Sequence, residues 1–104
     1  MRKYNPNPKH ETGGSLGRKG TKLDLSDAQA AQLLNDSSHC LQVPGKKQLV
    51  GVRSGKIYVF QDDGAGGYHA YRASGNEVCK KYAGVQAKIA EMLGIDVKRL
   101  SRLR

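Results

Sequence analysis

His69 lies in Tyr68-His69-Ala70-Tyr71, a short distance after Gly55-Lys56-Ile57-Tyr58-Val59-Phe60. Two strand-like runs there carry a lysine, a histidine and three of the five tyrosines. Those residue types suit work on a phosphodiester. Cleaving RNA without a metal needs a base for the 2′-hydroxyl, an acid for the departing 5′-oxygen and cations for the crowded phosphorane. Histidine can serve the first two roles near neutral pH. Preorganised arginine and lysine serve the third. His69 is the candidate acid–base group, Tyr58 and Tyr71 are its candidate orienting partners, and Arg53 and Lys56 are candidates for holding the phosphate. Tyrosine rings can also stack on splayed bases. His10 completes a histidine pair only if the segment carrying it folds over the strands, and His39, beside Cys40, reads as structural.

Strands must present that group. Gln48 to Arg53, Lys56 to Gln61 and Tyr68 to Ala73 alternate as strands of a meander, with Leu41 to Val43 as a possible fourth. Ser54-Gly55 makes a two-residue connection that sets Arg53 opposite Lys56, Gly51 opposite Tyr58 and Leu49 opposite Phe60. If Gln61 pairs with Tyr68, then Phe60 faces His69 and Tyr58 faces Tyr71. One face then collects Gly51, Arg53, Lys56, Tyr58, Phe60, His69 and Tyr71. The other shows Val50, Val52, Ile57, Val59 and Ala70, ready to be covered by helices. A slip of one residue in either pairing scatters the group. The bland alternative is the solvated outer face of a half-buried antiparallel sheet.

The 104 residues hold 18 Lys and Arg against nine Asp and Glu, a formal net charge of +9. Such a chain is expected to bind polyphosphate through counterion release. The length fits one domain with a modest core, built without tryptophan and with a single phenylalanine. No apolar run has the length of a membrane span and no signal peptide opens the sequence, so membrane insertion is not expected. Met1-Arg2-Lys3-Tyr4 reads as an abrupt start, as though cut from a larger protein. Cys40 and Cys79 lack a C-x-x-C spacing, and with three scattered histidines they offer too few ligands for a zinc site. No cofactor is expected. The two cysteines form either one disulfide or two ordinary small apolar side chains.

Residues 1–22 read as a basic flexible arm, with both Asn-Pro pairs and no apolar periodicity, ahead of a single α+β domain over 23–104. Within the arm, Gly13-Gly14-Ser15-Leu16-Gly17-Arg18-Lys19-Gly20-Thr21 fails the phosphate-loop pattern. It remains a basic loop whose Arg18, Lys19, Thr21 and the following Lys22 can approach a nucleic-acid phosphate. Ser26 caps a helix carrying Ala28, Ala31 and Leu34, ended by Asn35-Asp36-Ser37-Ser38. Asn76 caps a second helix running from Glu77 to about Leu93, stopped by Gly94, and Asp96 caps a final basic turn. The expected architecture is a small antiparallel meander packed on one face by helices.

Asn5-Pro6-Asn7-Pro8-Lys9-His10, Gly17-Arg18-Lys19-Gly20-Thr21 ahead of a helix, Gly55 to Gln61 and Gly67-Tyr68-His69-Ala70-Tyr71 together resemble the C-terminal toxin domains of bacterial polymorphic toxins. Those domains end contact-dependent inhibition and Rhs effectors, and many belong to the superfamily named after barnase, EndoU, colicins and RelE. The resemblance covers roughly residues 5–80. It implies a helical part on a four-stranded antiparallel sheet and a metal-independent ribonuclease, often aimed at tRNA, that leaves a 2′,3′-cyclic phosphate. It also implies delivery into a target cell as the end of a larger secreted effector, and a dedicated immunity protein. Some relatives engage elongation factor Tu. By motif match His10, Arg18, Lys19, Thr21, Lys56, Tyr58, His69 and Tyr71 belong to the functional set. A magnesium-dependent DNase is disfavoured because no carboxylate cluster is evident. The competing classes are a non-catalytic nucleic-acid-binding module and a domain that recognises an acidic protein surface.

Overall fold

A computed structural model describes residues 2–5, 24–62, 64 and 66–103, and the first helix among them begins where the sequence places a cap. Ser26 accepts a hydrogen bond from the Gln29 amide while the Gln29 side chain accepts one from Ser26, a reciprocal capping box that starts helix α1, Asp27–Leu34. Four strands follow: β1 Cys40–Gln42, β2 Leu49–Arg53, β3 Lys56–Asp62 and β4 Tyr68–Ala73. They form one antiparallel meander in chain order. Helix α2, Gly75–Lys81, a 3₁₀ turn at Ala83–Val85, helix α3, Gln86–Leu93, and the short α4, Val97–Leu100, complete the α+β fold.

The β2–β3 hairpin has the expected register, Arg53 opposite Lys56 and Gly51 opposite Tyr58. Its connection is a two-residue turn with positive φ at both Ser54 (+53°) and Gly55 (+75°), the primed geometry that matches strand twist. The β3–β4 pairing differs from the expected one by a residue. Asp62, not Gln61, sits opposite Tyr68, so Gln61 meets His69, Phe60 meets Ala70 and Tyr58 meets Arg72. The cause is local. Asp62 Oδ1 accepts the Gly64 amide at 2.7 Å, and Gly64 and Gly66 both take positive φ. This side-chain-supported turn lets β3 run one residue further before it reverses.

The helices are divided between both sheet faces instead of gathering on one. Helix α1 supplies Ala30, Leu33 and Leu34 to a cluster with Cys40, Leu49, Tyr58, Phe60 and Ala70. Gly51 belongs to this face, and a side chain there would meet Leu33 at 3.1 Å. On the opposite face Val50, Val52, Ile57, Val59 and Ala73 pack with Val78, Tyr82, Val85, Ile89, Ala90 and Leu100. Ala70, expected among the valines, therefore lies on the α1 face.

The single helix expected from Glu77 to Leu93 is two helices. Ser74, not Asn76, is the first cap, accepting the Glu77 amide at 3.1 Å. The chain breaks at Tyr82 (φ −127°, ψ 52°) and Gly84. Glycine is a poor helix former, and here Pro44 fills its place, since a Cβ on Gly84 would lie 2.6 Å from Pro44 Cδ. Gly94 at φ +75° ends α3, and Asp96 caps α4 through the Arg99 amide, both as expected.

Residues 2–5, which the sequence reading places in the arm, contact the sheet and helix α1. Tyr4 bridges Tyr68 in parallel, with the Asn5 amide donating to Tyr68 O at 2.7 Å and the Tyr68 amide to Lys3 O at 2.9 Å. Arg2 is clasped by the Asn35 side chain through both its amide and its carbonyl. Residues 3–5 thus add a single parallel bridge at the start of β4.

Candidate functional site

The register divides the expected group into two. Arg53, Lys56 and Tyr58 lie on the α1 face, whereas His69 and Tyr71 lie on the face of α2–α4. Lys56 and Gln61, the partner of His69, also sit five residues apart on β3, about 17 Å at strand rise. A single phosphate cannot touch both halves.

On the α1 face, Asp24 organises the polar rim. Its carboxylate accepts the Tyr58 hydroxyl at 2.6 Å and Lys56 Nζ at 3.2 Å, with an Arg72 guanidinium nitrogen at 3.7 Å. The Tyr58 hydrogen bond, with help from Lys56 and Arg72, outweighs burial and holds this carboxyl below its ordinary value. Burial and the same hydrogen bond push the Tyr58 phenol up to about 12. Tyr58 is therefore a neutral donor committed to Asp24, and its side chain is only 2% exposed. Arg72 Nε is buried with no hydrogen-bond partner among the described residues. Sequence reasoning missed Asp24 and Arg72. Arg72 was within reach, since the correct register alone places it opposite Tyr58.

On the other face His69 stands half-buried on β4 beside Gln61. Tyr4 points to the α1 face, its ring edge-on to Phe60 at 6.4 Å. Strand alternation therefore turns Lys3 and Asn5 toward the face of His69, and Asn5 falls next to His69 in register. Two residues along β4, the Tyr71 hydroxyl donates to Glu77 Oε2 at 2.5 Å and lies 3.3 Å from the Tyr82 hydroxyl. Burial, then the hydrogen bonds with Glu77 and Tyr82, raise the Tyr71 phenol far above its usual range. Lys81 Nζ approaches Glu77 Oε2 at 3.9 Å. An imidazole, two amide side chains and a carboxylate-held phenol thus share one edge. Such a set can move a proton at His69 and orient a hydroxyl or phosphate oxygen through neutral donors.

No protein-family model, curated protein or solved structure matches the chain. The site therefore has to be judged by its own chemistry.

His10, Arg18, Lys19, Thr21 and Lys22 lie outside the described residues. His39 is a turn residue, with Nδ1 2.9 Å from Asp36 Oδ2 at the exposed end of α1. Cys40 and Cys79 are both free thiols, one in each of the two opposed clusters, and burial pushes Cys40 up to about 12. Among the described residues no group of three His, Cys, Asp or Glu side chains could hold a metal ion. No described helix is long and apolar enough to cross a membrane.

Proposed function

We propose that this chain is a metal-independent endoribonuclease of the interbacterial-toxin type, with tRNA as substrate and His69 as its acid–base residue. The observation that carries this is the composition of the β4 edge. His69 stands there beside Asn5 and Gln61, on the same face as a tyrosine held by Glu77. The ribose 2′-oxygen attacks the adjacent phosphorus, the 5′-oxygen departs, and a 2′,3′-cyclic phosphate remains. His69 carries one of the two protons that must move. His10 is the candidate for the other, since the five residues from Asn5 to His10 can span at most about 18 Å. Tyr71, oriented by Glu77, supplies a neutral hydrogen bond on the same face. The toxin reading brings with it delivery by a larger effector and a dedicated immunity protein.

The test is incubation of the protein with bacterial tRNA in EDTA, read on a denaturing gel. Discrete fragments are expected. His69→Ala should cut on the order of 10²–10⁴-fold more slowly while binding tRNA as before. Equal cutting by His69→Ala would remove His69 from the chemistry. The separation of Arg53, Lys56 and Arg72 from His69 favours a second reading, a binding module without catalysis. Intact tRNA, bound equally by the wild type and His69→Ala, would establish it.

A further inference from the structure

We infer that a lysine surface continuous with the β4 edge binds the backbone of the RNA several nucleotides away from the bond cut. It rests on the ribonuclease reading above and deepens it. Lys46 and Lys47 sit on the turn between β1 and β2, and Lys80 and Lys81 end helix α2. Separated by more than thirty positions in the chain, the two pairs are brought together by packing. Pro44 fills the space at Gly84, which pins the turn against the segment after α2. Lys46 Nζ donates to Lys81 O at 3.4 Å and lies 5.8 Å from the centre of the Tyr82 ring.

These four cations are exposed and little neutralised. Among the described residues Lys46, Lys47 and Lys80 make no ion pair, and Lys81 reaches only Glu77, whose carboxylate already accepts the Tyr71 hydroxyl. That contact joins the surface to the proposed site, in the order His69, Tyr71, Glu77, Lys81, Lys46. All four of these cations are lysines. Lysine is a flexible point charge that follows a phosphate chain without imposing one bidentate geometry, as backbone binding independent of sequence requires. Tyr82, the aromatic ring at this surface, is buried beneath Lys46 and offers no face for stacking a base. The chemistry is therefore that of sequence-independent phosphate binding, which favours an extended RNA strand over a protein.

The experiment measures binding of a 2′-O-methylated single-stranded RNA, which lacks the attacking hydroxyl, across a salt series. Four proteins are compared: the wild type, K46Q/K47Q/K80Q/K81Q, the milder K47Q/K80Q, and K88Q/K98Q/R99Q/R102Q as an equal loss of charge elsewhere. Each phosphate neutralised on a single strand contributes about 0.7 to the slope of log K against log salt. The slope should shrink by about 2 to 3 in the quadruple lysine variant and by about 1.4 in the double one. The K88Q/K98Q/R99Q/R102Q protein should keep the wild-type slope. Equal losses in both quadruple variants, or none in either, overturn the inference. The double variant removes neither lysine that contacts the fold, so an unchanged slope there counts against the surface even if the quadruple variant misfolds. Wild type that cuts tRNA with a slope unmoved by the lysine changes sinks this inference alone. A slope that moves as expected without cleavage sinks the ribonuclease reading and leaves a polyanion-binding surface.

Discussion

Asp24 and Tyr58 show how one hydrogen bond sets the chemistry of a sheet face. The 2.6 Å contact fixes Asp24 as a carboxylate and Tyr58 as a phenol. Each shift predicts a limb of the stability–pH curve. Asp24 is lowered from 3.8 in the folded chain, so its contribution is complete above that value and is lost as pH falls through the lower folded one. Tyr58 is raised from 10.0 to about 12, so the unfolded chain deprotonates first and stability falls as pH rises across that interval. Urea midpoints measured against pH should show both limbs. Asp24→Asn should flatten the acid limb and Tyr58→Phe the alkaline one. An acid limb unchanged in Asp24→Asn would mean that the contact does not stabilise the fold. Much of this chemistry was legible in the sequence. His69 and Tyr71 share a face by strand alternation, and Lys56 and Tyr58 do likewise. Their union on one face depended on a single register, and that register was the part that failed. Asp24 had no sequence signal at all, because it meets Tyr58 across 34 positions of chain.

Elements were readable where local chemistry left one solution. Ser54-Gly55 allows only two residues between strands, which fixes β2 against β3. The capping box at Ser26 and the positive φ at Gly94 likewise fix helix ends from neighbouring residues alone. Between β3 and β4 several polar and glycine residues permit more than one register, and the Asp62 side chain decided it. The break between α2 and α3 was hidden for another reason. Tyr82, Val85 and Ile89 are all buried in the same cluster, so their spacing imitates one helix. What breaks it is Pro44, packed on Gly84 from a distant turn. Gly84→Ala tests that account. A methyl group 2.6 Å from Pro44 Cδ forces the turn to move, and a cost of about 1–3 kcal/mol is expected in urea unfolding. Because the same turn carries Lys46 and Lys47, RNA affinity should fall with stability. A variant as stable as the wild type would show that the turn is loosely held.

At the scale of the whole molecule, one thin sheet serves two cores. Tyr58 and Phe60 of β3 enter the α1 cluster, while Ile57 and Val59 enter the cluster of α2–α4. Neither cluster has an inner wall of its own. The far side is closed by Leu100, which is fully buried, and by the Gly75 amide donating to Leu103 O at 2.8 Å. The α1 side is closed by Leu34, also fully buried. Because alternate residues of the same strand build both cores, loss of either should unfold the sheet that supports the other. Leu34→Ala and Leu100→Ala should each cost about 2–5 kcal/mol, and each should leave a single cooperative transition. Tyrosines report both sides, Tyr58 on one and Tyr71 and Tyr82 on the other. Near-UV and far-UV circular dichroism should therefore change together in both variants. If Leu100→Ala lost the helical signal first and kept the environment of Tyr58, the two cores would be separable units. The proposed site on the β4 edge would then belong to the weaker one. Coincident transitions instead mean that His69, Tyr71 and Glu77 are held by the stability of the entire chain.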